Sequence, residues 1–340
     1  MSDRIIKPLA VFILVIAVIL AGTAVIGLLS GASGTPDGQR IDGQSPSQFQ
    51  PSNLNQGVDP ESGSLTLESG ATTTGGDSSN SGGSVLVDLR HSNAVTQAEL
   101  EPIETAMFSA GHSFEYDTGQ DPLNETLDEH DGYLVIQPTE GFSESEREAV
   151  DEFTASGGRV VILGEPTQPR VTSSGFFGTS TAIVSFGADK LLDEYGISIG
   201  PELLYNTADE SNDNGFKSIY TSPVRGNQLT EGVETVSFDR GGYVITRDDS
   251  GATTVFTATE DTKTLDTRRA DTYPTVVRND DIVFVADSTF IKPIELYDTD
   301  NEVFVSNLMQ FLLGSEDPRN TGGPTASEAQ STQNESTAQN

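Results

Sequence analysis

The chain has 340 residues, with 18 Lys plus Arg against 52 Asp plus Glu, a formal net charge of −34 and no cysteine. That charge argues against nucleic acid and against anionic lipid surfaces as partners, because phosphates need cations to meet them. The missing cysteine excludes disulfides, thiolate nucleophiles, thiolate metal sites and a lipid-anchored amino-terminal cysteine, and three histidines argue against a histidine-rich zinc site.

Only five of the 18 basic residues are Lys, and the acidic residues run along the whole chain. This pattern reads as adaptation to high salt, where a Debye length of about 3 Å screens self-repulsion. In dilute buffer the same charge pushes the fold apart. The alternative is an acidic protein from an ordinary organism.

In chain order, residues 1–8 read as a cytoplasmic stub and Leu9–Leu29 as a transmembrane anchor. No charge interrupts Leu9–Leu29, and at 1.5 Å per residue such a helix matches a bilayer core of about 30 Å. Arg4 and Lys7 precede it, and Asp37 and Asp42 follow. The positive-inside rule therefore predicts a single-pass cell-membrane protein with a cytoplasmic amino terminus and an extracytoplasmic folded domain. A cleaved signal peptide ending at Ser30-Gly31-Ala32 is the competing reading, but the apolar run is long for one. Residues 30–83 are rich in Gly, Ser, Thr, Pro, Gln and Asn, a composition predicted to form a disordered linker. Residues 317–340 read as a disordered acidic tail. The sequons at Asn124 and Asn334 are no more than chance supplies in so Ser- and Thr-rich a chain.

Residues 84–316 are predicted to form one α/β domain. Val85–Leu89 is an apolar run with a single Asp, as a buried parallel strand should be. Thr96 and Glu99 form a capping box before Leu100, Ile103 and Met107, and Gly111 ends that helix. Ser113–Asp117 is a second strand, Leu123–Glu129 a short helix and Gly132–Pro138 a third strand. Ser143 and Glu146 cap a helix carrying Ala149, Val150 and Phe153. Gly157-Gly158 stops it before the strand Arg159–Leu163. Four strands separated by three helices require parallel crossovers and a doubly wound, mostly parallel sheet of flavodoxin-like type.

Beyond Gly164 the pattern predicts a long polar loop over Glu165–Gly187, including Phe176-Phe177. A helix follows over Ala188–Tyr195, closed by Gly196. Thr235–Thr246, split by Gly241-Gly242, reads as a hairpin, so the parallel sheet carries an antiparallel insertion. Thr253–Thr259, Thr275–Arg278 and Ile282–Asp287 read as strands. Asp300 is expected to cap a last helix that ends at Gly314.

In sheets of this kind ligands bind beyond the carboxyl ends of the strands. The polar residues there are Asp88, His91, Asn93, Glu165, Asp287 and Ser288, the candidate ligand-binding set. Asp88 is the hardest to dismiss, because a buried carboxylate needs a partner, from Arg90, His91 or backbone amides. His91 alone can be no more than a strand-end polar residue. A carboxylate beside a histidine suits a general base, but no paired histidines support a metal site. Gly178-Thr179-Ser180-Thr181-Ala182 lacks the strand a nucleophile elbow needs, and neither phosphate-binding glycine motif is present. No catalytic residue, metal or cofactor is assigned.

Three strings carry a family resemblance: D-x-x-H-x-N (Asp88, His91, Asn93), FSESEREAVDEFTASGGRVVILG (Phe142–Gly164), and DSTF (Asp287–Phe290) followed by DNEVFVSNLMQFLLG (Asp300–Gly314). Together they resemble the membrane-anchored domain of unknown function 4350, common in haloarchaea. That domain is similar to the class I glutamine amidotransferase-like fold and to gliding-motility-type transport proteins. The resemblance implies a nucleophilic cysteine after the fourth strand, where this chain has Gly164-Glu165-Pro166, so ammonia production from glutamine is lost. It also implies Phe311 in place of a usual Trp, and neighbouring genes for a MoxR-type ATPase and membrane proteins. The expectation is a non-catalytic, membrane-tethered binding or assembly domain holding a small polar ligand or partner loop. The alternatives are a hydrolase using His91 with carboxylates, and a purely structural envelope component.

Overall fold

The structure, a computed structural model, describes residues 65–67, 82–173, 179–208, 211–213, 215–224 and 226–314. The chain divides between Gly57 and Val58, and all described residues fall in the second unit. The predicted stub and anchor, most of the predicted linker, Phe176-Phe177, Asn334 and the predicted tail lie outside the described residues. Among the described residues no helix is long and apolar enough to cross a membrane.

The first half follows the expected alternation: β1 (Ser84–Asp88), α1 (Gln97–Ala110), β2 (Ser113–Asp117), α2 (Leu123–Leu127), β3 (Gly132–Ile136), α3 (Glu144–Ala155) and β4 (Arg159–Leu163). Both predicted capping boxes form, at Thr96/Glu99 and Ser143/Glu146. Gly111 closes α1 at φ 89°, a left-handed value that costs a residue with a Cβ about 1–2 kcal/mol.

The strands that follow are β5 (Gln168–Ser173), β6 (Thr179–Val184), β7 (Ile197–Ile199), β8 (Leu204–Tyr205), β9 (Ser218–Pro223), β10 (Val236–Asp239), β11 (Val244–Thr246), β12 (Thr253–Ala258), β13 (Lys263–Thr264), β14 (Pro274–Asn279) and β15 (Ile282–Val285). Two helices join them, α4 (Asp189–Glu194) and α5 (Asn301–Leu312).

A nine-stranded sheet runs β10-β9-β12-β14-β15-β4-β3-β1-β2. Its pairs are parallel from β15 to β2 and antiparallel from β10 to β15. Read from the β2 edge, the parallel block has the order β2-β1-β3-β4-β15, one of the two common doubly wound orders, and it reverses between β1 and β3.

Strand alternation divides the core into two layers. Val85, Val87, Leu134, Ile136, Val161 and Leu163 face a cluster shared with α1 and α5. Leu86, Tyr133, Val135, Val160 and Ile162 face the cluster of α2, α3 and α4. Each strand is buried on both sides, which is why β1, β3 and β4 read as continuous apolar runs.

Three expectations are corrected. Thr235–Thr246 is not a hairpin: β10 pairs with β9 in the large sheet, while β11 pairs with β7 in a separate ribbon. The glycines let the chain pass close by instead of turning back. Gly242 donates its N–H to Ala286 O at 2.7 Å, and a Cβ on it would stand 2.5 Å from Pro166 Cγ. Glu165–Gly187 is not all loop, since β5 and β6 pair in register from Gln168↔Val184 to Ser173↔Thr179.

Asp300 precedes α5 but does not cap it through its side chain. Its carboxylate accepts the N–H groups of Glu234 at 2.8 Å and Thr235 at 3.0 Å, tying the helix to the start of β10. Asn301, fully buried, extends this tie: Oδ1 accepts from Ser237 N at 2.9 Å, and Nδ2 donates to Glu295 O at 2.7 Å.

Truncation at Asn301 strands a buried N–H and a buried carbonyl. Asn301→Ala is expected to lower unfolding stability by about 2–3 kcal/mol. Urea denaturation in molar salt checks it; a loss under about 0.5 kcal/mol would mean the amide is dispensable.

Candidate functional site

The carboxyl ends of β2, β1, β3, β4 and β15 carry, in spatial order, Asp117, Asp88, Gln137, Glu165 and Asp287. Two side-chain groups form along this edge, with Gln137 between them.

The first group is built on Asp88, which is fully buried. Both of its carboxylate oxygens lie 2.9 Å from His91 Nδ1. Asn93 Nδ2 donates to Oδ2 at 3.0 Å and also to Ile136 O at 3.0 Å, joining the ends of β1 and β3. Arg90 contributes only its backbone N–H, at 3.3 Å from Oδ1.

The Arg90 guanidinium turns the other way. Nε meets Asp117 Oδ2 at 2.6 Å, Nη1 meets Glu146 Oε1 at 3.4 Å, and Nη2 donates to Asp121 O at 2.9 Å. Glu146 belongs to the first turn of α3, and its Oε2 lies 3.6 Å from His91 Nε2. Phe142 stacks on the imidazole with ring centroids 3.8 Å apart. Phe142 thus covers one face of His91, Asp88 holds Nδ1, and the buried Nε2 faces Glu146 without a hydrogen bond.

The electrostatics follow from that geometry. Burial alone would lower the pKa of His91, but the hydrogen bond and charge of Asp88, with the charge of Glu146, raise it above the ordinary histidine value. Burial would raise Glu146, but hydrogen bonds from Ser143 and the charges of His91 and Arg90 bring it down to about 2. Burial, then the charges of Asp88 and Asp117, push the Tyr133 phenol far up.

The loops after β1 and β3 are stitched together above this group. His91 O accepts from the N–H groups of Thr139 and Glu140, both at 3.0 Å, and Ala94 N donates to Gln137 O at 2.9 Å. Thr139 Oγ1 donates to Ser92 O at 2.8 Å, and Ser92 Oγ to Glu140 Oε1 at 2.8 Å. Ser92 at φ 52° and Gln137 at φ 42° are left-handed without being glycine, a strain the stitching must offset.

The second group lies one strand further on. Gln137 Oε1 accepts the Glu165 N–H at 2.6 Å. Ser288 Oγ donates to Glu165 Oε1 at 2.7 Å. Asp287 Oδ1 accepts from Thr289 N at 2.6 Å, Thr289 Oγ1 at 2.9 Å and Phe290 N at 3.1 Å, whereas the buried Oδ2 has no hydrogen-bond partner. Burial, then the charge of Glu165, hold the Asp287 carboxyl well above the usual carboxylate range.

All six predicted residues therefore lie on one edge. Asp88, His91 and Asn93 meet directly, as do Glu165 and Ser288, with Asp287 coupled to Glu165 by charge. Sequence reasoning missed Glu146, Phe142 and Asp117, and it places Gln137 at a strand end without adding it to the candidate set. The capping box at Ser143 had already placed Glu146 at a helix start, but nothing local showed that this turn faces β1. A separate trio, Asp213, Glu295 and Asp298, brings three carboxylates within 4.8 Å of one another. Burial, then Asp298, raises Glu295 to about 7.

No curated protein matches the sequence. Residues 103–309 match the family model described as a domain of unknown function, DUF4350. Among solved structures, the mmIFT52 N-terminal domain gives a TM-score of 0.53 at 14% identity, covering 68% of this chain and 98% of that one. A ThuA-like protein from Bacteroides uniformis ATCC 8492 gives 0.42 at 11% identity, over 73% and 98%. Alpha-L-fucosidase isoenzyme 2 from Paenibacillus thiaminolyticus gives 0.37 at 13%, over 68% and 33%. The first of these is a likeness of fold.

Because the folded-state value of His91 is raised, its pairing contributes stability that is complete below the unfolded value of about 6.5 and fades as pH climbs through the folded value. Glu146→Gln should lower the imidazole titration followed by NMR, and an unmoved titration would remove Glu146 from the account. Asp287 is raised as well, so its contribution is present below about pH 4 and declines as pH rises. Asp287→Asn should melt higher than the parent chain at pH 7 and show a flatter stability profile between pH 5 and 8. Equal slopes in the two proteins would mean Asp287 is ionised already.

Proposed function

We propose that this chain, which belongs to the domain of unknown function 4350 family, is a non-catalytic binding or assembly domain. The observation that carries this reading is the state of His91. A base must present a lone pair to its substrate, and this imidazole is buried, with Nδ1 2.9 Å from both Asp88 oxygens, Nε2 3.6 Å from Glu146 Oε2 and Phe142 stacked on its face, so neither nitrogen is open to one. That enclosure argues against the hydrolase reading. Nor does the turn after β4, Gly164-Glu165-Pro166, offer a thiol or hydroxyl in the place where the amidotransferase-like resemblance calls for cysteine.

The buried groups then act as a frame. They hold two strained loops in one shape, and the exposed rim of those loops, Ser92 and Glu140, is what a partner loop or small polar ligand would touch. On this reading the fold is an amidotransferase-like architecture without its chemistry. It is adapted to high salt and carried outside the cell membrane on an anchor at residues 9–29, with a MoxR-type ATPase system among the candidate associates. The charge of −34 and the uncharged run Leu9–Leu29 support the setting.

Tagged full-length chain purified from membranes in molar salt should bring down a stable partner. Glu140→Arg on the exposed rim should reduce that recovery at least about tenfold, with at most a small fall in melting temperature from the lost Ser92 bond. Recovery of no partner together with no ligand-induced melting shift would overturn the proposal. So would a hydrolytic activity abolished by His91→Ala.

A further inference from the structure

Apart from the strand-end row, α1 presents a face to an open groove of about 770 Å³. Ala98, Pro102, Ala106 and Ala110 line one wall, Pro293 and Tyr297 the other, and Leu65–Leu67 close it. Leu65 and Leu67 are half-buried against the cluster of α1 and α5, while Thr66 between them is exposed. That is the pattern of an extended segment, in which residues two apart share a face. Ile294, 80% exposed, and Phe108, 54% exposed, lie next to lining residues. The groove itself mixes its apolar lining with Glu101, Thr105 and Ser109.

Pro102, inside α1, supplies no N–H to the carbonyl of Ala98, and both residues line the groove.

We propose that Leu65–Leu67 is a strap that docks in this groove on its own domain, fastening the predicted linker to the outer face of α1. The transfer gain from two half-buried leucines is of the same order as the cost of ordering three residues. The strap is therefore set near balance between packed and released states and is not fused to the core. The occupant is this segment of the same chain. It does not depend on the reading of the strand-end row.

The native chain has no cysteine, so spin labels can be placed without background. In the full-length protein, labels at Thr66→Cys and Glu101→Cys, both exposed positions, should give a narrow short-distance population by pulsed electron resonance. That population should persist when labelled chain is diluted with excess unlabelled chain. Leu65→Ser with Leu67→Ser should lower the ratio of docked to undocked chains about tenfold or more. A broad distribution in the parent chain, or a distance unaffected by the leucine changes, would overturn the proposal. A short distance lost on dilution would also overturn it, by assigning the groove to a second copy.

Discussion

A single buried carboxylate organises the functional edge of this domain. Asp88 ends a strand buried on both faces, and an unpaired charge there would cost several kcal/mol. The chain meets that cost locally, within five residues, through the backbone N–H of Arg90, the imidazole of His91 and the amide of Asn93. Each donor then has a second task. Asn93 reaches Ile136 O, His91 draws in Phe142 and Glu146, and Arg90, turned outward, gathers Asp117 and Glu146. The switch point between β1 and β3 is consequently filled by protein groups, and the loops above it are bonded to each other.

Much of this was legible in the sequence where one residue type had one physical use. The capping boxes at Thr96 and Ser143, the stop at Gly111 and the apolar runs of β1, β3 and β4 each point to a single local structure. Asp88 was legible as a residue in need of a partner, and His91 is that partner. What could not be read is the long-range pairing. Gly241-Gly242 has the composition of a hairpin turn and serves as a passage beneath Pro166. Asp300 has the position of a helix cap and serves as a clamp on β10. β9 was invisible because Ser218–Pro223 mixes polar and apolar residues, and its burial comes from β10 and β12 on either side.

The two acidic groups on the edge solve the same problem differently. Asp88 stands among the Arg90 N–H, the His91 ring and the Asn93 amide, which between them serve both of its oxygens. Asp287 faces Glu165, with three donors on one oxygen and none on the other, and its charge is disfavoured. One end of the row is held by ion pairing and the other by hydrogen bonding to a carboxyl that resists ionisation.

The seating of β15 has a consequence for how the domain comes into being. This strand pairs with β4, yet the whole antiparallel half of the sheet lies between them in the chain. The carbonyl of Phe311 in α5 accepts from Arg159 Nη1 at 2.9 Å, and the Phe311 ring lies under the guanidinium groups of both Arg159 and Arg278. The early βα units thus wait, with one side of β4 unpaired, for segments made more than a hundred positions later. Such closure over long chain separation slows folding and leaves a sticky border exposed in the meantime.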